Sequence, residues 1–276
     1  MRARKFANNT VLILIGLVWL VIAGAPFYFM AMTGFKERFE LFSGDVFAFP
    51  QNPTFTNYNE VLTGGTFFNY VKNSVLIVAV AVVLILIFSS MAAYVFARMK
   101  FKLNRPLFTL IIAGLVIPVH ITLIPVYLFT RDIGLYDSLW GLLGPYVAFN
   151  LPLSIFILTE FMRGIPREME EAAYIDGCGP VRSFVRIMLP LSMPGLATLA
   201  IYNSVVLWNE FVFAFVLITS PSNQPLPLAI WEYQGQYSMN IPAIMSVLTL
   251  SALPLILIYM AGQEKVLRGM MAGALK

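Results

Sequence analysis

Charge is what this 276-residue sequence has least of. Asp, Glu, Lys and Arg make up 12% of it against 59% hydrophobic residues, a balance that excludes an ordinary soluble globular domain and makes lipid the chain's solvent. Cysteine and histidine are nearly missing as well. The lone Cys178 excludes an internal disulfide framework and a Cys-based metal site, and the lone His120 excludes a His-pair zinc motif. No Gly-Lys dipeptide occurs, so a phosphate-binding Walker loop is impossible. Gly-x-Ser-x-Gly and His-Glu-x-x-His are also absent, and nothing motivates a hydrolase site. There is no long internal repeat and no low-complexity tract. The net charge of +4 points less to nucleic acid than to basic residues that mark one side of a membrane.

What is present is a series of long apolar runs. A hydrocarbon core about 30 Å thick needs about 20 mostly apolar helical residues. Six stretches meet that length: Val11–Thr33, Ser74–Phe96, Leu107–Thr130, Leu139–Phe161, Leu196–Thr219 and Ile241–Gly262. The sequence therefore predicts an all-α integral membrane chain of six transmembrane helices. Arg2, Arg4 and Lys5 before the first run, with Gly24-Ala25 inside it, resemble a secretory signal. Pro26 would follow the cut and the apolar run continues past it, so the run is expected to stay as a helix. An even number of spans puts both termini on one side. Fourteen of the 18 basic residues then lie with the termini: Arg2, Arg4, Lys5, Arg98, Lys100, Lys102, Arg105, Arg163, Arg167, Arg182, Arg186, Lys265, Arg268 and Lys276. Lys36, Arg38, Lys72 and Arg131 lie opposite, so the positive-inside rule makes both termini cytoplasmic. The exterior connection over 34–73, with Pro50, Pro53, Phe55 and Tyr58, is expected to form a small cap. The exterior loop over 220–240 carries Glu232 and no basic residue. The chain divides into 1–69 (N-terminus, first helix and exterior loop), a core over 70–262, and a C-terminal tail over 263–276.

The cytoplasmic connection over about 165–195 is patterned as two short helices. Pro166 suits a first helical turn, and Glu168, Glu170 and Glu171 lie near the positive end of the helix dipole. Gly177 supplies a left-handed stop. Helical spacing places Met169, Ala172, Ala173 and Asp176 on one face, where two alanines let another surface approach closely. Pro180 opens the second helix, whose Phe184, Ile187 and Met188 form an apolar stripe between Arg182 and Arg186. Pro190 and Pro194 close the segment. On amphipathicity alone this is either a docking element or a helix lying in the membrane interface.

The string Glu171-Ala-Ala-Tyr-Ile-Asp-Gly177, followed by Phe184, Ile187, Leu189-Pro-Leu191 and Pro194, resembles the EAA loop of binding-protein-dependent ABC importer permeases. Other positions resemble the MalG-like carbohydrate (type I) branch of that family: Ile124-Pro125, Leu135, Gly144-Pro-Tyr146, Leu151-Pro152, Trp208-Asn-Glu-Phe211, and Gln263, Gly269 and Gly273 through Lys276 in the tail. Asp137, Cys178 and Glu264 depart from the branch, which favours Asn, a small residue, and a basic or aromatic residue at those places. The resemblance implies a type I ABC importer permease fold in the cell (inner) membrane of a bacterium or archaeon. It implies that Glu171, Ala172, Ala173, Asp176 and Gly177 form an ATPase-coupling site in cytoplasmic EAA coupling helices. The implied partners are a second, different, MalF-like permease, two ATP-binding subunits that bind ATP and Mg, an extracytoplasmic solute-binding protein and membrane lipid. The permease itself then needs no cofactor. The implied activity is inward movement of a sugar or oligosaccharide by alternating access, with a polyol or glycerol phosphate as the alternative solute.

Polar residues inside apolar runs are costly and mark functional candidates. Glu210, beside Trp208 and Asn209, either lines the substrate pathway or serves as interhelical packing, and Asn203 lies two turns earlier on the same helical face. His120, between Pro118 and Pro125, is either a proton relay or a satisfied packing residue. The two prolines are expected to break the third span. Trp140 and Trp231 suit interfacial anchors, and Trp19 suits packing against lipid or a neighbouring helix. A rival reading, an ion-coupled secondary transporter, needs an intramembrane carboxylate, and Glu210 is the one central acid.

Overall fold

The computed structural model describes residues 2–43, 46–233 and 239–274, and every helix or strand element among them is helical. In chain order the α-helices are α1 (Arg2–Gly34), α2 (Glu40–Ser43), α3 (Thr56–Thr63), α4 (Phe67–Arg98), α5 (Asn104–Ala113), α6 (Leu123–Asp132), α7 (Leu143–Arg163), α8 (Glu168–Ile175), α9 (Pro180–Ser183), α10 (Leu189–Leu191), α11 (Met193–Trp208), α12 (Val212–Leu217) and α13 (Ile241–Ala274). Of the tail over 263–276, residues 275 and 276 lie outside the described residues, as do residues 234–238 of the loop over 220–240.

Lipid offers no partner for a backbone N–H or C=O, so an apolar run is driven to satisfy its hydrogen bonds within itself, as a helix. Three helices are long and apolar enough to cross a membrane: Val11–Gly34, Phe67–Arg98 and Leu139–Arg163. Two further candidates are bent pairs: Asn104–Val116 with Val119–Asp132 at 91°, and Pro180–Leu191 with Met193–Trp208 at 71°. The described residues thus supply three spans, or five if each bent pair is one, while Ile241–Leu257 is a shorter apolar helix. Two of the six expected runs are interrupted, the third as Pro118 predicts and the fifth against the expectation of one continuous helix. The third breaks because Pro118 disfavours a helical Ile117, which is extended at φ −73° and ψ 115°. Pro125 breaks nothing, for it sits in the first turn of α6, where a missing N–H costs no bond. The fifth stops at Trp208, and the chain turns through Asn209–Phe211 before α12 resumes.

By contacts the chain forms two units. The first comprises residues 1–68 and 229–254. Here Asn57 of α3 is buried and donates from Nδ2 to the carbonyls of Gly34 and Lys36, both at 2.9 Å, and the Tyr58 hydroxyl donates to Ala31 O at 2.9 Å. These bonds fold the 34–63 stretch back onto the end of α1. The side chains of α1 from Val11 to Ile22 are exposed.

The second unit comprises residues 69–228 and 255–276. The middle of α4 has neither Pro nor Gly and buries Ile77, Ala81 and Ile85 against Leu142, Tyr146, Leu207 and Leu217. Toward its C-terminal end Ala93, Tyr94 and Ala97 join Leu158, Met162, Met188 and Leu199. At its N-terminal end Asn73 Nδ2 donates to the carbonyls of Ser222 and Gln224, both at 2.9 Å.

Close by in sequence to α7, Asp137 fastens the chain after α12. Its carboxylate accepts from the backbone N–H groups of Thr219 at 2.8 Å and Ser220 at 2.7 Å and from the Ser220 hydroxyl, while its own N–H donates to Leu217 O at 2.9 Å. Its φ of 55° is one that Asp and Asn tolerate better than other non-glycine residues. Burial raises the Asp137 pKa, but the bonds from Ser220 and Thr219 outweigh it and hold the carboxyl below its ordinary 3.8. A depressed folded pKa contributes stability above the unfolded value, and that stability is lost as pH falls through the folded value. Asp137→Ala is expected to destabilise the purified protein by on the order of 2 kcal/mol at neutral pH, read as a lower thermal midpoint. Asp137→Asn, which keeps acceptors for both N–H groups, is expected to lose less and to remove the acid dependence below about pH 4. Equal midpoints for all three proteins would refute this fastening role.

Candidate functional site

The segment between α7 and α11 is built from a proline-led start, a glycine stop and a bent second half. Helix α7 ends at Arg163 with Gly164 as its cap, Pro166 lies in the lead-in two residues before α8, and α8 begins at Glu168. The expectation that Pro166 occupies the first turn is thereby corrected. Gly177, at φ 79°, is the left-handed stop; its N–H donates to Tyr174 O at 3.0 Å and that of Cys178 to Ala173 O at 2.9 Å, closing the end of α8. Pro180 opens α9, a π-turn runs over Phe184–Met188, and α10 leads to α11 with Pro194 in its first turn.

The end of α4 holds this segment in place. The Arg98 guanidinium donates from Nη2 to Ile165 O at 2.7 Å, and its Nε lies 2.8 Å from Glu170 Oε2, an ion-pair contact with side chains only 6% and 8% exposed. Spacing alone grouped Glu168, Glu170 and Glu171 at the helix dipole. The structure separates them, turning Glu170 inward to Arg98 and leaving Glu168 and Glu171 exposed. Of the four residues assigned to one face, Met169, Ala172 and Asp176 are exposed, but Ala173 is buried beside Glu170. The face is therefore corrected by one residue: Ala173 backs α8, and Met169, Ala172 and Asp176 remain available with Glu171. Below it, the Phe184 ring packs on Tyr94 with centroids 5.1 Å apart, and Met188 is fully buried. Of the expected stripe of Phe184, Ile187 and Met188, Phe184 and Met188 join the core cluster, while Ile187 is half-buried outside it. Gly195 lets α11 approach α7, since a Cβ there would sit 3.0 Å from the Phe161 ring.

The three polar residues of the fifth run are not brought together. Asn203 is fully buried inside the bundle, donating from Nδ2 to Ser154 Oγ of α7 at 3.1 Å and to Leu199 O at 2.9 Å. Asn209 is exposed and donates back to Val205 O at 2.8 Å. Glu210 accepts from the backbone N–H of Phe213 at 2.8 Å and Ala214 at 3.3 Å, capping α12. The shared face expected for them assumed one continuous helix, and the break after Trp208 removes it. His120 is exposed in the short turn between the bent halves α5 and α6. Trp19, Trp140 and Trp231 are exposed, as lipid-facing or interfacial residues would be. No group of His, Cys, Asp and Glu that could hold a metal occurs among the described residues. Sequence reasoning missed Arg98, reading it only as a topological charge. The signal available was its place as the last residue of α4, where a lone guanidinium leaving an apolar run needs a partner.

The family model described as "Binding-protein-dependent transport system inner membrane component" matches residues 85–271. A putative ABC transporter permease protein of Caldicellulosiruptor sp. (strain Rt8B.4) is 57% identical over 94% of this chain and 94% of its own length. The diacetylchitobiose uptake system permease protein NgcG of Streptomyces coelicolor is 33% identical over 95% of this chain and 87% of its own. Among solved structures, a chain of a bacterial ABC transporter involved in alginate import superposes with a TM-score of 0.79 at 23% identity, covering 96% of this chain and 98% of that one.

Arg98→Ala or Glu170→Ala alone leaves a buried charge without its partner, and each is expected to cost about 3 kcal/mol of stability. Both should also speed tryptic cleavage at Arg167 in the detergent-solubilised protein. A joint Arg98→Met, Glu170→Met variant should recover much of the thermal midpoint. Unchanged midpoints and cleavage rates in the single variants would contradict the tether.

Proposed function

We propose that this chain, which belongs to the family of binding-protein-dependent transport system inner membrane components, moves a sugar or oligosaccharide inward by alternating access. It is a permease subunit of an ATP-binding-cassette importer, and ATP is hydrolysed by partner ATPase subunits rather than by this chain. A carbohydrate cargo is supported by the relative named for diacetylchitobiose uptake; a polyol or glycerol phosphate is the alternative within the same machinery. The full assembly in this reading has a second, different permease, two ATP-binding subunits and an extracytoplasmic binding protein. Its setting is the cell (inner) membrane of a bacterium or archaeon, with six spans and both termini cytoplasmic, as the distribution of basic residues favours. The core over 70–262 carries the transport path and the segment over 165–195 carries the coupling.

The observation that carries the mechanism is a helix with an open face of Met169, Glu171, Ala172 and Asp176 whose opposite face, at Glu170 and Ala173, is locked to the bundle. In this reading Glu171, Ala172 and Asp176 meet the ATP-binding subunit, Ala173 supports them from behind, and Gly177 sets where the helix ends. Closure of two ATP-binding subunits then displaces α8. The displacement passes through the π-turn and α10 into α11, a rigid-body transition of packed elements. Asn209, exposed at the break, is the pathway candidate of the fifth run, whereas Asn203 and Glu210 serve as interhelical and capping contacts. A Glu210 carboxylate occupied by two backbone N–H groups disfavours an ion-coupled secondary transporter.

Two variants probe the coupling. Gly177→Pro removes an N–H donor and cannot adopt a φ of 79°, and Glu171→Lys inverts a charge on the open face. Both are expected to insert normally and to cut solute uptake at least about tenfold, as loss of one coupling contact of about 1.4 kcal/mol would. Normal uptake by both would sink the coupling assignment. For the activity itself, the complex purified from its native membrane should contain an ATPase whose turnover rises with a sugar-loaded binding protein. Recovery of no ATPase subunit would overturn the reading.

A further inference from the structure

A second site lies beside the coupling segment and is built from cations. A cleft of about 520 Å³ opens where α4 ends and α5 begins, lined by Lys100, Lys102, Arg105, Arg163 and Arg167. Arg163 is engaged, 2.6 Å from Glu160 and over the Phe108 ring at 5.1 Å. Lys100, Lys102, Arg105 and Arg167 have no ion-pair partner among the described residues. Helix α5, with no acid in its first turn, brings its positive dipole end to the same cleft. Apolar side chains are mixed with the charges: Met99 and Phe101 also line the cleft and are 40% exposed. An anionic oxygen cluster beside exposed hydrocarbon is what this lining complements.

We propose that the cleft binds the phosphodiester headgroup of an anionic phospholipid, with Lys100, Lys102 and Arg105 contacting the phosphate and Met99 and Phe101 lying along the adjoining lipid. The inference rests on α4 and α7 crossing the membrane, since their charged ends then sit at headgroup depth, where basic residues attract anionic lipid. A free phosphate shares the charge chemistry but has no use for the apolar part of the lining. An acidic protein surface is also less suited, because four unpaired cations converge on a concavity about the size of a small-molecule site. Occupancy of the cleft would brace Lys100, two residues past Arg98 at the end of α4, and so bias the segment that Arg98 holds.

The assembled complex, purified from its native membrane, is reconstituted into phosphatidylcholine nanodiscs containing phosphatidylglycerol. Retained phosphatidylglycerol is counted by native mass spectrometry, without solute or ATP. The wild-type complex should retain it, and the Lys100→Gln, Lys102→Gln, Arg105→Gln variant should lose at least about tenfold in affinity, as removal of several juxtamembrane basic charges predicts. A Lys100→Arg, Lys102→Arg variant should retain it, which separates charge loss from misfolding. Equal retention by the neutral variant would overturn the proposal, as would displacement of the lipid by millimolar inorganic phosphate. Loss of the ATP-binding subunits from the neutral variant with lipid retention unchanged would instead assign the cleft to a protein contact and likewise overturn it. The lipid count does not depend on the cargo, so a failure of the sugar assignment leaves it readable.

Discussion

The buried pair of Arg98 and Glu170 is the contact on which the geometry of the 164–195 segment depends. A guanidinium placed at the end of an apolar helix must find acceptors, and this one finds a backbone carbonyl at 2.7 Å and a carboxylate at 2.8 Å. With both side chains less than a tenth exposed, each charge would be costly alone, and each makes the other tolerable. Arginine suits the place because its extended guanidinium reaches the Ile165 carbonyl through Nη2 while Nε lies against the Glu170 carboxylate, a spread that a compact lysine ammonium lacks. The pair thereby decides which face of α8 is turned inward. Once Glu170 and Ala173 face the bundle, helical geometry leaves Met169, Ala172 and Asp176 outward.

From that fixed point the chain has few ways to absorb a displacement. Gly177 ends α8 at one defined place, Phe184 and Met188 anchor the π-turn to Tyr94 and its neighbours, and the 71° bend between Pro180–Leu191 and Met193–Trp208 redirects the chain into α11. Helix α11 is in turn joined to α7 by the Ser154–Asn203 bond and by the close approach at Gly195. A contiguous packed route therefore runs from the open face of α8 to the bundle, which is the physical requirement for transmission in the proposed mechanism.

Much of this was legible in the residues, for reasons that are local. The existence of apolar helices follows from composition and length, and the left-handed stop at Gly177 and the helix start at Pro180 follow from the backbone rules of glycine and proline. The break before Pro118 was readable, though not its 91° size, and the harmlessness of Pro125 depended on where α6 begins. What was not legible depended on partners distant in sequence. Glu170 and Glu171 are neighbours of the same type, and only Arg98, 72 residues earlier than Glu170 by the numbering, tells them apart. The interruption after Trp208 was hidden because Asn209-Glu210-Phe211 sits inside an otherwise apolar run, and its cost is offset by Glu210 capping α12. Asp137 stood out only as a departure from Asn. Its left-handed backbone explains why those two residue types serve there, and its bonds to Thr219 and Ser220 explain the carboxylate.

In the proposed mechanism the Arg98–Glu170 tether makes α8 and the end of α4 move as one body when the ATP-binding partners close. Spin labels at Ile175, exposed on α8, and Leu103, exposed just past α4, report that directly by pulsed electron paramagnetic resonance on the assembled importer. A narrow distance distribution is expected that stays the same with and without bound ATP, and that broadens when Arg98 is replaced by Ala. A wild-type distance that shifts by several ångströms on ATP binding would show α8 moving independently of α4 and would contradict the mechanism.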